Sequence, residues 1–400
     1  MFFSSLLCPA LKKVLGEELD CLSPETSFTT LPNERFSLSA ATQYYQPLEN
    51  LNDLVEYTKH KLCRGSDPEC VKRVATLLQA TSVDIDFDTI SRALTITAYW
   101  PPHSQSFKIP RIAPNDRLEV GVLSVDTPKE PEELSLGGFL TVVGEDTKPK
   151  ATLFSFPARH HPFSSTFSAS FIIPTGMHPS LQLSISSSAH PTEERSCSLH
   201  AYLTLPRTIF ADKYQLSDPL FLASQNLTTI HHITSSVDLE APAYAMTIWG
   251  STVLLELAPP PTRVDKAWTA TIPLHLRYLP PTNSTSGQSQ LEVPYPVVFW
   301  ACVADEGSKF PINPFDKVNI GYDGLFGPKT MFYHVSPEGE RLINTISVPV
   351  LDLDQSRYVE VGTAGVVLFG FLWVLWCLFG VWRKNGYGSL EETTIEKKKN

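Results

Sequence analysis

The sequence predicts a mainly β protein: antiparallel β-sandwich domains attached to one C-terminal transmembrane helix. Three observations predict it. Residues 361–382 form an uncharged run of 22 residues close to the end of a 400-residue chain. Period-two alternation of apolar and polar residues recurs from residue 82 onward, the signature of half-buried strands. Proline is frequent, 33 residues against 20 glycines, which suits turns and edge strands and shortens helices.

The apolar run sets the topology. A helix of its length spans about 33 Å, enough for a hydrocarbon core of about 30 Å. Asp352, Asp354, Arg357 and Glu360 precede it, and Arg383 and Lys384 follow. Basic residues favour the cytoplasmic flank, so the short tail is expected in the cytoplasm and the large segment in a lumen. The chain ends Lys397-Lys398-Lys399-Asn400, which resembles the dilysine signal for retrieval to the endoplasmic reticulum. A solvated basic end is the plainer reading. Two sequons, at Asn226 and Asn283, and six of seven cysteines lie before the span, as suits an oxidising compartment. Cys377 lies within the span, as a small apolar residue. Residues 1–11 make a poor secretory signal, with Pro9 in the apolar stretch and Lys12-Lys13 after it. A tail-anchored protein with a cytosolic domain is the alternative. It would place Arg383 and Lys384 on the wrong side and leave both sequons unused.

Four segments follow: an N-terminal β-rich domain with short helices (1–150), a β-sandwich (151–358), the transmembrane helix (359–382) and the tail (383–400). The apolar spacing of Leu48, Leu51, Leu54, Val55 and Leu62 predicts a short helix. A second is predicted over 68–79, with Asp67 as cap and Pro68 in the first turn. Cys63 and Cys70 bracket the turn between them; a local disulfide and two free thiols are both open. Val83, Ile85 and Phe87 alternate with Asp84, Asp86 and Asp88, and residues 93–100 continue the pattern, so a hairpin with one buried face is expected. Residues 117–124 and 137–143 add strands, with a polar loop at 126–133. In the second half, strands are predicted at 166–174, 181–188, 198–206, 243–250, 252–260, 270–280 and 291–302, spaced as in a sandwich.

Composition and motifs exclude more chemistry than they suggest. Residues 1–360 carry 27 basic and 39 acidic side chains, a net −12, and no basic patch, which argues against nucleic acid and anionic lipid. A Gly-rich phosphate loop, HExxH and GxSxG are all missing from the sequence. The pairs His160-His161 and His231-His232 would each point to opposite faces of a strand, a poor arrangement for two ligands on one metal. The three alternating aspartates read as a wet strand face. Asp352-Leu353-Asp354 has the form with which many glycosyltransferases hold a metal and sugar phosphate, but a charged stalk beside the membrane accounts for it. No catalytic residue, cofactor or metal is assigned.

A series of structural-looking residues remains. It comprises Cys197 to His200, Leu205 to Tyr214, Asp238 to Pro242, Ile272 to Tyr278 and Pro294 to Cys302, followed by a single span. This series resembles the PIG-X family, whose fungal branch is known as protease B non-derepressible, over about residues 190–382. The resemblance implies a non-catalytic, stabilising subunit of glycosylphosphatidylinositol mannosyltransferase I in the endoplasmic reticulum membrane. Its implied partner is the multi-spanning catalytic subunit, PIG-M, which adds the first mannose from dolichol-phosphate mannose. A general lumenal folding factor or cargo adaptor is the competing reading, and a glycosyltransferase acting through Asp352 and Asp354 a third.

Roles can be set on the shared residues. His275 and Arg277 alternate with Leu274, Leu276 and Tyr278, so one set faces the core and the other outward. Arg277 is expected either to pair with Asp238 or Glu240 or to meet the partner. Trp300 and Tyr278 belong to the same structural or partner motif. Cys197 and Cys302 are candidates for a bridge between two strands. The aromatic residues of the span are candidates for packing on the partner's helices, with lipid contact as the alternative.

Overall fold

The period-two segments of the second half assemble into one eight-stranded sheet. In chain order its strands are β1 His160–Phe171, β2 Ser180–Ile185, β3 Cys197–Pro206, β4 Leu227–Ile233, β5 Gly250–Leu257, β6 Trp268–Pro273, β7 Val297–Val303 and β8 Thr330–Pro337. Their spatial order is β4-β5-β3-β7-β8-β1-β2-β6. The computed structural model describes residues 5–31, 42–63, 67–88, 91–100, 116–173, 175–187, 189–192, 196–234, 238–260, 268–283, 286–311, 320–339 and 342–386. The chain is mainly β with one long apolar helix near its C-terminus, as the sequence predicts. Two features of the arrangement were not foreseen. The pair β8 and β1 is parallel, although all other pairs in this sheet are antiparallel. And the two ends of the strand order meet: the Thr271 N–H donates to the Gln225 carbonyl at 3.0 Å, and Asn226 Nδ2 donates to the Thr269 carbonyl at 2.8 Å.

The central strands β3, β5 and β7 are buried on both faces; β7 accordingly reads as a continuous apolar run, while β3 and β5 keep His200, Thr204 and Thr252 among the residues of the second face. One face carries Leu199, Ala201, Leu203 and Leu205 of β3, opposite Leu257, Leu255, Val253 and Ser251 of β5. The other carries Tyr202, Leu254, Phe299 and Phe332, covered by Tyr322. Phe299 stacks on Tyr322 at 4.5 Å and meets Phe332 edge-on at 5.4 Å, geometries that add to simple burial. Cys197 and Cys302 stand directly opposite in the register of β3 and β7 and are bonded.

Residues 5–31 and 42–50 carry a helix, a disulfide and a short strand pair. Helix Leu7–Leu15 is tied by a Cys8–Cys21 disulfide, a pairing that no local pattern marks. Gln43 anchors this region to the main sheet: its carbonyl accepts from the Trp249 indole at 2.8 Å, and its Oε1 accepts from the Tyr202 hydroxyl at 3.0 Å. Helices follow at Asn52–Lys61 and Pro68–Ala75, the second capped by Asp67, whose carboxylate accepts from the Cys70 N–H at 3.0 Å. Cys63 and Cys70 are bonded between them.

Strands Ser82–Phe87 and Leu94–Tyr99 form the expected antiparallel hairpin. Its apolar face is not buried: Phe87 is 57% exposed and Leu94 61%. The hairpin pairs only with itself among the described residues, so no third strand or layer covers it. A three-stranded sheet follows, Glu119–Asp126, Glu133–Val142 and Lys150–Pro157. Its last strand begins at Lys150 and pairs with residues 133–140, so the sheet crosses a division placed at residue 150. Residues 243–250, read as a strand, instead hold a 3-10 turn at Ala243–Ala245; Pro242 enters it extended, and only Gly250 is in a strand. Residues 291–302 divide into two strands around Tyr295-Pro296.

The chain divides into two compact units, Met1–Leu279 with Gln290–Ser347, and Pro280–Ser289 with Val348–Asn400. In the second, Thr282 brackets the approach to the long helix, accepting from the Leu353 N–H and donating its own N–H to the Leu351 carbonyl. Helix Leu353–Asn385 begins two turns before the apolar run. Asp352 caps it, its carboxylate accepting from the Asp354 N–H at 2.9 Å, and Asp354 sits in the first turn where negative charge is favourable. The helix is long and apolar enough to cross a membrane.

Candidate functional site

Three of the sequence segments singled out above, residues 205–214, 238–242 and 272–278, meet in one cluster around Phe210 and Arg277. The short strand Ile209–Phe210 pairs antiparallel with His275–Leu276, placing Phe210 opposite His275. The His275 ring stacks on Phe210 at 5.3 Å with 20° between planes. The Arg277 guanidinium carbon lies 4.4 Å from the Phe210 centroid. Phe210 is therefore held by an imidazole and a cation on neighbouring positions of one strand.

Arg277 is 4% exposed, and its chemistry is directed inward. Its Nη1 donates to the Ala241 carbonyl at 2.7 Å and the Leu239 carbonyl at 3.3 Å. Those carbonyls are aimed by Asp238, whose Oδ1 accepts from the N–H groups of Glu240 and Ala241 at 3.0 and 2.9 Å, a local turn of the kind Asp favours. So Asp238 organises the loop and its charge acts on Arg277, and the two carbonyls accept hydrogen bonds from the guanidinium. Burial pushes the guanidinium below its ordinary range and the Asp238 charge opposes that.

His275 is fixed in one tautomer. Its Nε2 donates to Gln215 Oε1 at 3.0 Å, leaving Nδ1 to accept from His178 Nδ1 at 2.9 Å. Burial, then the neighbouring His178, lowers its pKa; Asp212 works in the opposite direction. His178 and Gln215 carried no sequence signal, because each is brought in by tertiary folding.

Outward, these segments and the turn after Pro242 present tyrosines beside the exposed Asp238 and Glu240. Tyr278 is 69% exposed, Tyr244 68% and Tyr214 63%. The Ala243 N–H donates to the Tyr278 carbonyl at 2.9 Å, so the Tyr244 and Tyr278 segments are held side by side. A rigid base carrying exposed tyrosines is the composition favoured at protein interfaces.

The remaining candidates are placed as follows. Trp300 is buried on β7, with the His190 ring edge-on at 4.8 Å. Asn226 is exposed, with a left-handed φ of 57° and its amide nitrogen engaged by Thr269; Asn283 is also exposed. Lys397 and Lys398 lie outside the described residues. Asp352 and Asp354 are occupied with starting the long helix. Among the described residues, one group of three His, Cys, Asp or Glu side chains is close enough to share an ion: His200, His231 and Glu256.

These features define a class: a disulfide-stapled β protein with one helix fit to cross a membrane, whose recurring motifs build an interior cluster and an exposed tyrosine face. Comparison with known proteins narrows it. The profile of the PIG-X / PBN1 family matches residues 174–379. Protein pbn1 of Neurospora crassa is 52% identical over 390 residues, covering 96% of this chain and 77% of that protein. Protein pbn1 of Emericella nidulans is 47% identical, covering 95% and 77%, and that of Schizosaccharomyces pombe 31%, covering 54% and 59%. The chain belongs to the PIG-X / PBN1 family. Neither the family's description nor the relatives' names state a catalytic activity.

Proposed function

We propose that this chain is the non-catalytic, stabilising subunit of the endoplasmic reticulum mannosyltransferase that adds the first mannose during glycosylphosphatidylinositol-anchor synthesis. Its partner is the multi-spanning catalytic subunit of the PIG-M type. The observation that carries the reading is the use of the shared motifs. Phe210, His275 and Arg277 are consumed in holding three segments together, and the large apolar side chains left exposed beside them are the tyrosines Tyr214, Tyr244 and Tyr278.

The placement follows from the same chemistry. The β domain lies in the lumen, where the three disulfides are at home and Asn226 and Asn283 are available for glycosylation. Arg383 and Lys384 hold the C-terminal flank in the cytoplasm, and Lys397 and Lys398 supply the retrieval signal. The helix contributes Trp373, Trp376, Phe379 and Trp382 to contacts with the partner's spans. Affinity purification of the full chain in mild detergent tests the reading. One stoichiometric multi-spanning glycosyltransferase is the expected result. Many unrelated clients with no fixed stoichiometry would identify a general folding factor instead.

A further inference from the structure

We infer that His200, His231 and Glu256 form a binding site for a divalent transition-metal ion, with Zn2+ the best fit to two imidazoles and a carboxylate. The three side chains come from three adjacent strands, β3, β4 and β5. His200 and Glu256 are direct cross-strand partners and so share a face. Thr229 stands opposite Glu256, so His231, two residues on, lies on the same face of β4. The pairing of β4 with β5 slips between Ile230 and His232, at His231. His231 Nε2 lies 2.8 Å from Glu256 Oε2, and one ligand atom from each of the three residues lies within 4.8 Å of the others.

The proton arrangement suits a metal. His200 Nδ1 donates to the Ser198 carbonyl at 3.0 Å, which leaves Nε2 with the lone pair. A ligating histidine whose other nitrogen donates to a carbonyl has its ring orientation set in advance. The ring is further fixed by Phe299, stacked at 5.6 Å, and Phe326, edge-on at 5.0 Å. Glu256 and His231 lie at the partly exposed side, so an ion can enter there and keep a water in a fourth position. Binding replaces the His231–Glu256 hydrogen bond by two bonds to the ion, with the His231 proton carried on Nδ1 so that Nε2 offers its lone pair. Three strands are then joined through one ion, the outermost being β4.

The test is Zn2+ titration of the full chain in detergent, by calorimetry and thermal unfolding, after removal of metals with chelator. One saturable ion per chain is expected, with a rise in unfolding temperature that chelator reverses. His231→Ala and Glu256→Gln should each weaken binding by at least about tenfold, the lower bound reported for loss of an outer-shell partner. Both positions are partly exposed, so these variants should fold, and far-ultraviolet circular dichroism checks that they do. His60→Ala, at a distant exposed histidine, should leave the affinity unchanged. No saturable uptake by the wild-type chain, or uptake that both site variants retain undiminished, would overturn the assignment.

Discussion

Arg277→Ala is expected to cost about 3–5 kcal/mol of folding stability. The magnitude follows from what the guanidinium does. Its 2.7 Å bond to the Ala241 carbonyl is a charge-assisted, buried hydrogen bond, worth about 1.5–3 kcal/mol, and the 3.3 Å bond to Leu239 adds less. The stack over Phe210 at 4.4 Å adds about 0.5–2 kcal/mol when shielded from water. Truncation also strands two carbonyls aimed inward by the Asp238 turn. Arg277→Lys keeps the charge but loses the planar fork, and should recover only about half of the loss. Denaturant unfolding of the full chain in detergent, followed by near-ultraviolet circular dichroism, reads both variants. Tyr278→Ala, one residue on and exposed, should stay within about 0.5 kcal/mol of wild type. A loss below about 1 kcal/mol for Arg277→Ala, or full stability for Arg277→Lys, would refute the assignment of Arg277 as the internal anchor of this cluster.

Other consequences can be measured on the same preparation. Replacing Cys197 and Cys302 together by Ala should destabilise by about 4.7 kcal/mol on the loop-entropy relation, against about 2.4 for Cys63 with Cys70, because the separations are 105 and 7 residues; equal losses would contradict that origin. His275 is depressed below 6.5 in the fold, so the unfolded chain binds its proton first. Its contribution is full above pH 6.5 and is lost as pH falls below it, and His275→Gln should flatten the acid limb of a stability profile. Asp352→Ala should cost about 1 kcal/mol at the start of the long helix, seen as fraying by hydrogen exchange, while mannosyl transfer by the assembled complex is retained.

How much of this was legible in the sequence varies with the range of the interactions. Asp67-Pro68 at a helix start and the apolar run 361–382 are local signals, and the structure has both helices. The central strands were legible because each carries a continuous apolar row on one face, Leu199, Ala201, Leu203 and Leu205 on β3 and Val253, Leu255 and Leu257 on β5. Residues 243–250 misled because their alternation reflects long-range contacts: Trp249 is buried by a hydrogen bond to the Gln43 carbonyl, 206 residues away. The hairpin of residues 82–99 shows the converse. Its alternation is real, but burial needs a covering layer, which no local pattern specifies. In the site, the motif residues Phe210, His275 and Arg277 could be named, but their stacking could not, since it depends on the pairing of Ile209–Phe210 with His275–Leu276. The placement of His231 was invisible for a related reason. Adjacent histidines on a strand diverge, and which of them shares a face with Glu256 is set by the cross-strand register, Thr229 opposite Glu256, which no local pattern specifies.

The central claim, a stabilising subunit without chemistry of its own, is tested most directly by the steady-state abundance of the catalytic mannosyltransferase subunit in cells lacking this chain. The account predicts that its abundance falls severalfold and is restored by the wild-type chain and by the Asp352→Ala, Asp354→Ala double variant alike. Unchanged abundance with mannosyl transfer abolished would contradict it, because the chain would then supply part of the reaction itself.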